Sequence, residues 1–182
     1  MNKEGIRKHF IYFMCYAIIG WIYEVFLEVV VYRWGFTNRG ELFGPYCPVY
    51  GFGALAFIFT AYKLIKGKTL KEKILYIPLV FLSCMAIATL IELVASYLCE
   101  WTTGTWQWKT YERYAINFQA RIALSPSIRF GLGGLLFLYV LQPLFEKMCN
   151  KLGEEKVKVI ARILAVIIAI DIIFTGYNKF IH

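Results

Sequence analysis

ILYIPLVFLSCMAIATLIELVASYL, residues 74–98, carries a single charged side chain, Glu92. A helix of this length rises by roughly 37 Å at about 1.5 Å per residue. About 20 such residues suffice to cross the hydrocarbon layer of a bilayer. No strand-like alternation interrupts the run, and in lipid a helix closes its own backbone hydrogen bonds within one segment. Working outward, residues 10–32, 46–65, 122–145 and 159–177 read the same way. The sequence predicts an all-α, polytopic membrane bundle of about five transmembrane helices. It forms a single integral membrane domain over residues 1–182.

Composition agrees with lipid as the solvent. Of 182 residues, 59% are apolar and 18% aromatic, against 18% charged. A soluble domain of this size could not hide so much apolar surface. The net charge of +8 is spread over short segments between apolar runs, so it reads as a topology signal and not as a nucleic-acid patch. The five cysteines, Cys15, Cys47, Cys84, Cys99 and Cys149, form no C-x-x-C pair, and His9 and His182 lie at opposite ends of the chain. No metal or cofactor is expected. The first apolar run follows a basic start but is too long for a signal peptide and contains Glu24 and Glu28, so it is expected to stay as helix one.

Lys and Arg set the orientation. Lys3, Arg7 and Lys8 precede helix one. Lys63, Lys66, Lys68, Lys71 and Lys73 link helices two and three. Lys147, Lys151, Lys156, Lys158 and Arg162 mark the link from helix four to helix five. These segments share the cytoplasmic side, with the N-terminus inside and the C-terminus outside. The other two loops, 34–48 and 100–127, mix aromatic rings with Arg, Asn, Gly and Pro, as interfacial or partly re-entrant segments do. Trp101, Trp106, Trp108, Tyr111 and Tyr114 read as anchors at the lipid–water boundary.

Ionised groups inside a membrane are costly, about 2.5–3.5 kcal/mol each on insertion scales, and call for a reason. Glu24 and Glu28 share one face of helix one at i,i+4 spacing. Thr89, Glu92, Ser96 and Glu100 form a polar stripe on helix three. Asp171, Thr175 and Asn178 do the same on helix five, and helix four carries Arg129. These groups are expected to converge at one level in the outer half of the membrane. They would act either as structural ion pairs or as the wall of a polar cavity open outward. Arg129 with Glu24 or Asp171, and Arg39 or Arg121 with Glu28 or Glu92, are the pairs that neutralise most charge. Pro45 and Pro48 predict an unwound or kinked entry to helix two. The small residues Gly51, Gly53 and Ala54, and Gly131, Gly133 and Gly134, predict close helix packing.

The motif G-W-x-x-E at Gly20, Trp21 and Glu24 is followed by N-R-G-x-L-x-G-P-x-C-P-x-Y-G-x-G-A over Asn38–Ala54. Glu92, Ser96 and Glu100 come next, then N-F-x-x-R-I-x-L from Asn117 to Leu124. Across roughly residues 10–145 the chain resembles the ABC-transporter type IV, or CmpB-like, family of bacterial membrane permeases. The resemblance implies permease-like function in a bacterial cytoplasmic membrane.

From the residues and the resemblance together, the expected function is a small permease-like protein that binds or moves a small solute. Its substrate-binding residues would be Glu24, Glu28, Asn38, Arg39, Tyr50, Glu92, Ser96, Asn117, Arg121, Arg129 and Asp171. The chain has no G-x-S-x-G elbow, H-E-x-x-H or P-loop, so no catalytic residue is assigned, and any ATP-driven motor would be a separate subunit at the Lys-rich loops. Membrane lipids and a second copy of the chain are the other expected partners. Competing readings are an intramembrane enzyme acting on a lipid or lipid-linked substrate, and a non-catalytic oligomeric scaffold.

Overall fold

A computed structural model describes residues 2–38, 40, 42–106 and 108–181; the predicted site residue Arg39 lies outside them. The chain divides into two compact units, one of Met1–Leu55 with Leu144–His182 and one of Ala56–Pro143. Among the described residues the regular structure is helical except for one very short hairpin.

In the first unit, helix α1 spans Lys3–Phe26 and continues as a π-helical turn, Leu27–Val31. Its N-terminus is closed by the Asn2 side chain, which accepts the Gly5 N–H at 2.8 Å and satisfies one of the orphan donors of the first turn. Helix α2, Pro48–Phe59, places its proline at the first helical position, where a missing N–H costs nothing. The expected irregular entry is present as bends over 42–45, and the Cys47 N–H reaches the Ala17 carbonyl of α1 at 2.9 Å. Phe13, Met14, Ala17 and Tyr46 form the local core, joined by Leu164 and Ile168 of the C-terminal helix. Close packing rests on two glycines. A Cβ on Gly20 would collide with the Tyr50 ring, and one on Gly51 would lie 2.6 Å from Phe13.

In the second unit, α3 spans Leu70–Leu75 and α4 spans Ile77–Thr103, ending at Gly104 in the left-handed conformation (φ 75°). A 3₁₀ turn, Lys109–Arg113, leads to the antiparallel hairpin of β1 (Asn117–Phe118) and β2 (Ile122–Ala123). Asn117 pairs with Ala123 and Phe118 with Ile122. Helix α5, Leu124–Leu136, packs along α4, with Gly131 against Phe81 and Gly134 against the fully buried Cys84. A π-helical turn, Phe137–Leu141, leads into α6, Gln142–Ile181, which Gly153 (φ 77°, ψ 167°) divides into helices over 142–152 and 154–181.

Among the described residues, two helical runs, Lys3–Val31 and Ile77–Thr103, are long and apolar enough to cross a membrane. Only 28% and 11% of their most apolar windows are buried, whereas the core helix of a soluble protein would be mostly covered. Their sides are therefore largely uncovered within the chain.

Several predicted boundaries move. Helix one begins at Lys3 instead of residue 10, and the second segment begins at Pro48 and leaves α-geometry after Phe59. The run 74–98 is interrupted at Tyr76 and extends to Thr103; residues 122–123 are strand. Hydropathy registers which residues suit lipid, whereas a helix continues into polar flanks wherever its backbone bonds close.

Candidate functional site

In the first unit the acids are held by the loop between α1 and α2. Thr37 donates its hydroxyl to Glu28 Oε1 at 2.6 Å and its N–H to Oε2 at 3.2 Å, and Glu28 is only 3% exposed. Trp21 Nε1 donates to Asn38 Oδ1 at 2.7 Å, while Asn38 Nδ2 donates to the Leu42 and Phe43 carbonyls. Asp171 receives the Phe43 N–H (3.0 Å), the Gly44 N–H (2.7 Å), the Tyr46 hydroxyl and the Thr175 hydroxyl (3.1 Å). Tyr50 donates its hydroxyl to Glu24. The two halves of the sequence motif thus interlock: Gly20 admits the Tyr50 ring, Trp21 holds Asn38, and Glu24 accepts from Tyr50. Glu24, Glu28, Asn38, Tyr50 and Asp171 all join networks that fix this loop.

The second unit brings together Glu92, Ser96, Asn117, Arg121 and Arg129. The hairpin turn carries positive φ at two non-glycine residues, Gln119 (51°) and Ala120 (55°). Such backbone persists only where its surroundings over-determine it. Here two indoles do so. Trp106 Nε1 donates to the Ala120 carbonyl at 3.1 Å and Trp108 Nε1 to the Arg121 carbonyl at 2.7 Å. Asn117 ties the turn from below, accepting the Ala120 N–H at 3.1 Å and donating to the Tyr114 carbonyl at 2.8 Å.

The turn delivers Arg121 into a cage. Its guanidinium carbon lies 4.1 Å from the ring centres of both Tyr97 and Trp106. Nη2 pairs with Glu100 and Nη1 approaches Ser96 Oγ at 3.4 Å. The residue is 6% exposed. One turn earlier on α4, Glu92 Oε1 accepts the Tyr111 hydroxyl at 2.7 Å. Burial, reinforced by the adjacent Glu92 carboxylate, pushes the Tyr111 phenol well above its usual value, so it remains a proton donor. Tyr111 meets Tyr114 edge to face at 5.7 Å, and Tyr114 accepts from Arg129 Nη2 at 2.6 Å. Arg129 also donates to Ser125 Oγ at 3.3 Å.

Two atoms of this cluster stand out. Glu92 Oε2 and Arg121 Nε are sealed from solvent and, among the described residues, have no hydrogen-bond partner. Buried polar atoms are nearly always satisfied in folded proteins, by the chain itself or by a bound water, ion or ligand, so each of these two atoms asks for an explanation.

The sequence missed the cage. Tyr97 and Glu100 flank Ser96 on α4, and Glu100 takes the ion pair with Arg121 that was assigned to Glu28 or Glu92. The i,i+4 spacing of Ser96 and Glu100 was the available signal. Trp106, Trp108, Tyr111 and Tyr114, expected as membrane anchors, each make an internal hydrogen bond or ring contact that the sequence did not announce. Trp101 is 85% exposed near the end of α4.

Comparison with known families matches residues 11–176 to the family described as “Putative ABC-transporter type IV”. The chain belongs to this family. The match extends beyond the resemblance seen over residues 10–145 and takes in Asp171 as well as both polar networks. No curated protein and no solved structure matches the chain. Family membership and the two apolar helices mark a membrane protein of transporter type.

Proposed function

We propose that the chain is a permease-like, multi-pass protein of a bacterial cytoplasmic membrane. It has about five spans, with the N-terminus inside and the C-terminus outside. It binds a small solute at the polar cluster of the second unit. The observation that carries this reading is the pair of open buried atoms, Glu92 Oε2 and Arg121 Nε. An intramembrane carboxylate is expensive, and one kept half-satisfied in a cluster that also holds an unsatisfied guanidinium donor suits a site that completes its bonds with a ligand.

In this reading Glu92 accepts from the solute and Arg121 Nε donates to it. Ser96 and Glu100 fix the guanidinium, Asn117 fixes the turn, and Arg129 orients Tyr114 beside Tyr111. The aromatic rings do not form a free cation cage, because Arg121 already fills the space between Tyr97 and Trp106. Glu24, Glu28, Asn38, Tyr50 and Asp171 serve the loop of the first unit. Any ATPase subunit would dock on the Lys-rich segments 63–73 and 147–158, the cytoplasmic faces of this topology.

Thermal-shift screening of small polar metabolites on the purified full chain tests the proposal, since a ligand raises stability in proportion to RT ln(1 + [L]/Kd). At least one compound should stabilise the wild type and do so much less for Glu92→Gln. Identical shifts in both proteins would rule out this site.

A further inference from the structure

Between α2 and α4 the chain sets five lysines, Lys63, Lys66, Lys68, Lys71 and Lys73, against one acid, Glu72. Short-range bonds close the backbone here. The Lys63 N–H reaches the Thr60 carbonyl at 3.3 Å, Ile65 reaches Tyr62 at 3.1 Å and Lys68 reaches Ile65 at 3.2 Å, before the Thr69–Glu72 box starts α3. The Tyr139 hydroxyl donates to the Lys73 carbonyl at 2.7 Å and fastens α3 to the π-helical turn after α5. A segment so tied keeps its side chains in a fixed arrangement.

That arrangement leaves apolar side chains outside. Helix α3 buries none of its residues, and Leu70 and Ile74 are 74% and 57% exposed. At four residues' spacing these two share one face. With about 3.6 residues per turn, Lys71 and Lys73 fall on the two flanks of that face and Glu72 on the opposite side. Glu72 is engaged by the Thr69 N–H and hydroxyl, each at 2.8 Å, and by Lys68 at 3.7 Å. Lys71 and Lys73 therefore find no acid left within the segment. Position adds a second constraint. Leu75 stands two residues from the head of α4 at Ile77, no more than about 7 Å along an extended chain. The 27 residues of α4 rise by about 40 Å, close to the ~40–45 Å of a bilayer with its headgroups. Where α4 spans a bilayer, α3 lies at headgroup level.

We infer that α3 is a contact for anionic phospholipid: Leu70 and Ile74 enter the headgroup–acyl boundary, and Lys71 and Lys73 meet lipid phosphates. Lysine stems lie along apolar surface while their ammonium groups reach the headgroups, and basic side chains near a bilayer favour its anionic lipids. An acidic protein surface would answer the lysines alone. A bilayer also covers Leu70 and Ile74, and it is already present at the head of α4. The contact goes beyond the solute site and does not depend on it, and it leaves segment 147–158 as the surface for any ATPase subunit.

Bromine-labelled lipids test this on the full chain reconstituted in bilayers, with bimane attached to Leu70→Cys in a variant stripped of its native thiols. Brominated phosphatidylglycerol, which is anionic, and brominated phosphatidylcholine, which is zwitterionic, are compared at equal mole fraction. Both should quench the probe, with phosphatidylglycerol preferred at least about fivefold, the worth of one lysine at a charged surface. The preference should fall to near unity in Lys71→Gln/Lys73→Gln and at high salt, which screens exposed charge. Native mass spectrometry of the chain with its own cysteines is the second measurement. There Lys71→Gln/Lys73→Gln should weaken phosphatidylglycerol adducts at least about fivefold and leave phosphatidylcholine adducts unchanged. Lys151→Gln/Lys156→Gln, which removes two exposed lysines of the other Lys-rich segment, should do neither.

Equal quenching by the two lipids, or equal loss of phosphatidylglycerol from both lysine pairs, would mean that α3 does not select lipid charge and would overturn the inference. Quenching by neither lipid would put α3 away from the bilayer and return it to a protein partner, which overturns it as well.

Discussion

Arg121 is held by shape as much as by charge. A planar guanidinium stacked between two rings cannot be replaced by the compact ammonium of lysine, which presents no flat face to Tyr97 and Trp106. Each ring contact is worth about 0.5–2 kcal/mol, the larger figure applying where the cation is desolvated. Arg121→Met, which keeps much of the stem, is therefore expected to lower unfolding stability in detergent by about 1–4 kcal/mol. Arg121→Lys should fall between the two proteins. Denaturation followed by tryptophan fluorescence measures both. Equal stability of Arg121→Met and wild type would mean that the cage contributes nothing.

At the scale of elements, the end of the α1–α2 loop nearest α2 is gathered by one carboxylate. Asp171 draws together the Phe43 and Gly44 amides and the Tyr46 hydroxyl, so the loop is fastened to a helix far along the chain. Asp171→Ala should lower the opening free energy of residues 42–46 by about 2 kcal/mol, or about thirtyfold faster amide exchange. Unchanged exchange would mean the loop is held elsewhere.

The start of α3 has a different dependence. Thr69 and Glu72 form a reciprocal capping box. The Thr69 N–H and hydroxyl, with the Lys68 charge, hold the Glu72 carboxyl below the usual 4.5. Its folded value is thus below its unfolded one, so the cap contributes fully above about pH 4.5 and is lost as pH falls through the lowered value. Amide protection in Leu70–Glu72, taken relative to the intrinsic exchange rate at each pH, should fall below pH 4.5 in the wild type and be less pH-dependent in Glu72→Gln; matching profiles would contradict this assignment.

These elements also mark what could be read from the sequence. The apolar helices were legible because a long run without charge has few alternatives to a helix in lipid. The Gly153 break and the interruption at Tyr76 were not, because each is a single backbone conformation inside a permissive sequence. Glu92 and Arg121 could be singled out as costly charges, but their partners could not. Arg121 reaches its cage through positive φ at Gln119 and Ala120, residues that give no warning of a tight turn. Pairing of charges by depth alone therefore assigned Arg121 to carboxylates other than its partner Glu100, and the internal indole bonds went unforeseen.

For the whole molecule, the length of α4 bears on topology. Its 27 residues rise by about 40 Å at roughly 1.5 Å per residue, more than the ~30 Å hydrocarbon layer. One end must therefore emerge into the headgroup region, and exposed Trp101 suits that boundary. The five-span arrangement proposed above would put the Lys-rich stretch before α4 in the cytoplasm and the aromatic segment after it outside. Lys71 and Thr110 are exposed positions on these two sides, so each can be replaced by cysteine in a variant stripped of its native thiols. A membrane-impermeant maleimide should label Thr110→Cys on intact cells and Lys71→Cys only after permeabilisation. The reverse pattern would invert the topology, and labelling of both on intact cells would mean that α4 does not separate two compartments. Either result would also move the polar cluster away from the outer face, and with it the side of the membrane from which the proposed solute site could be reached.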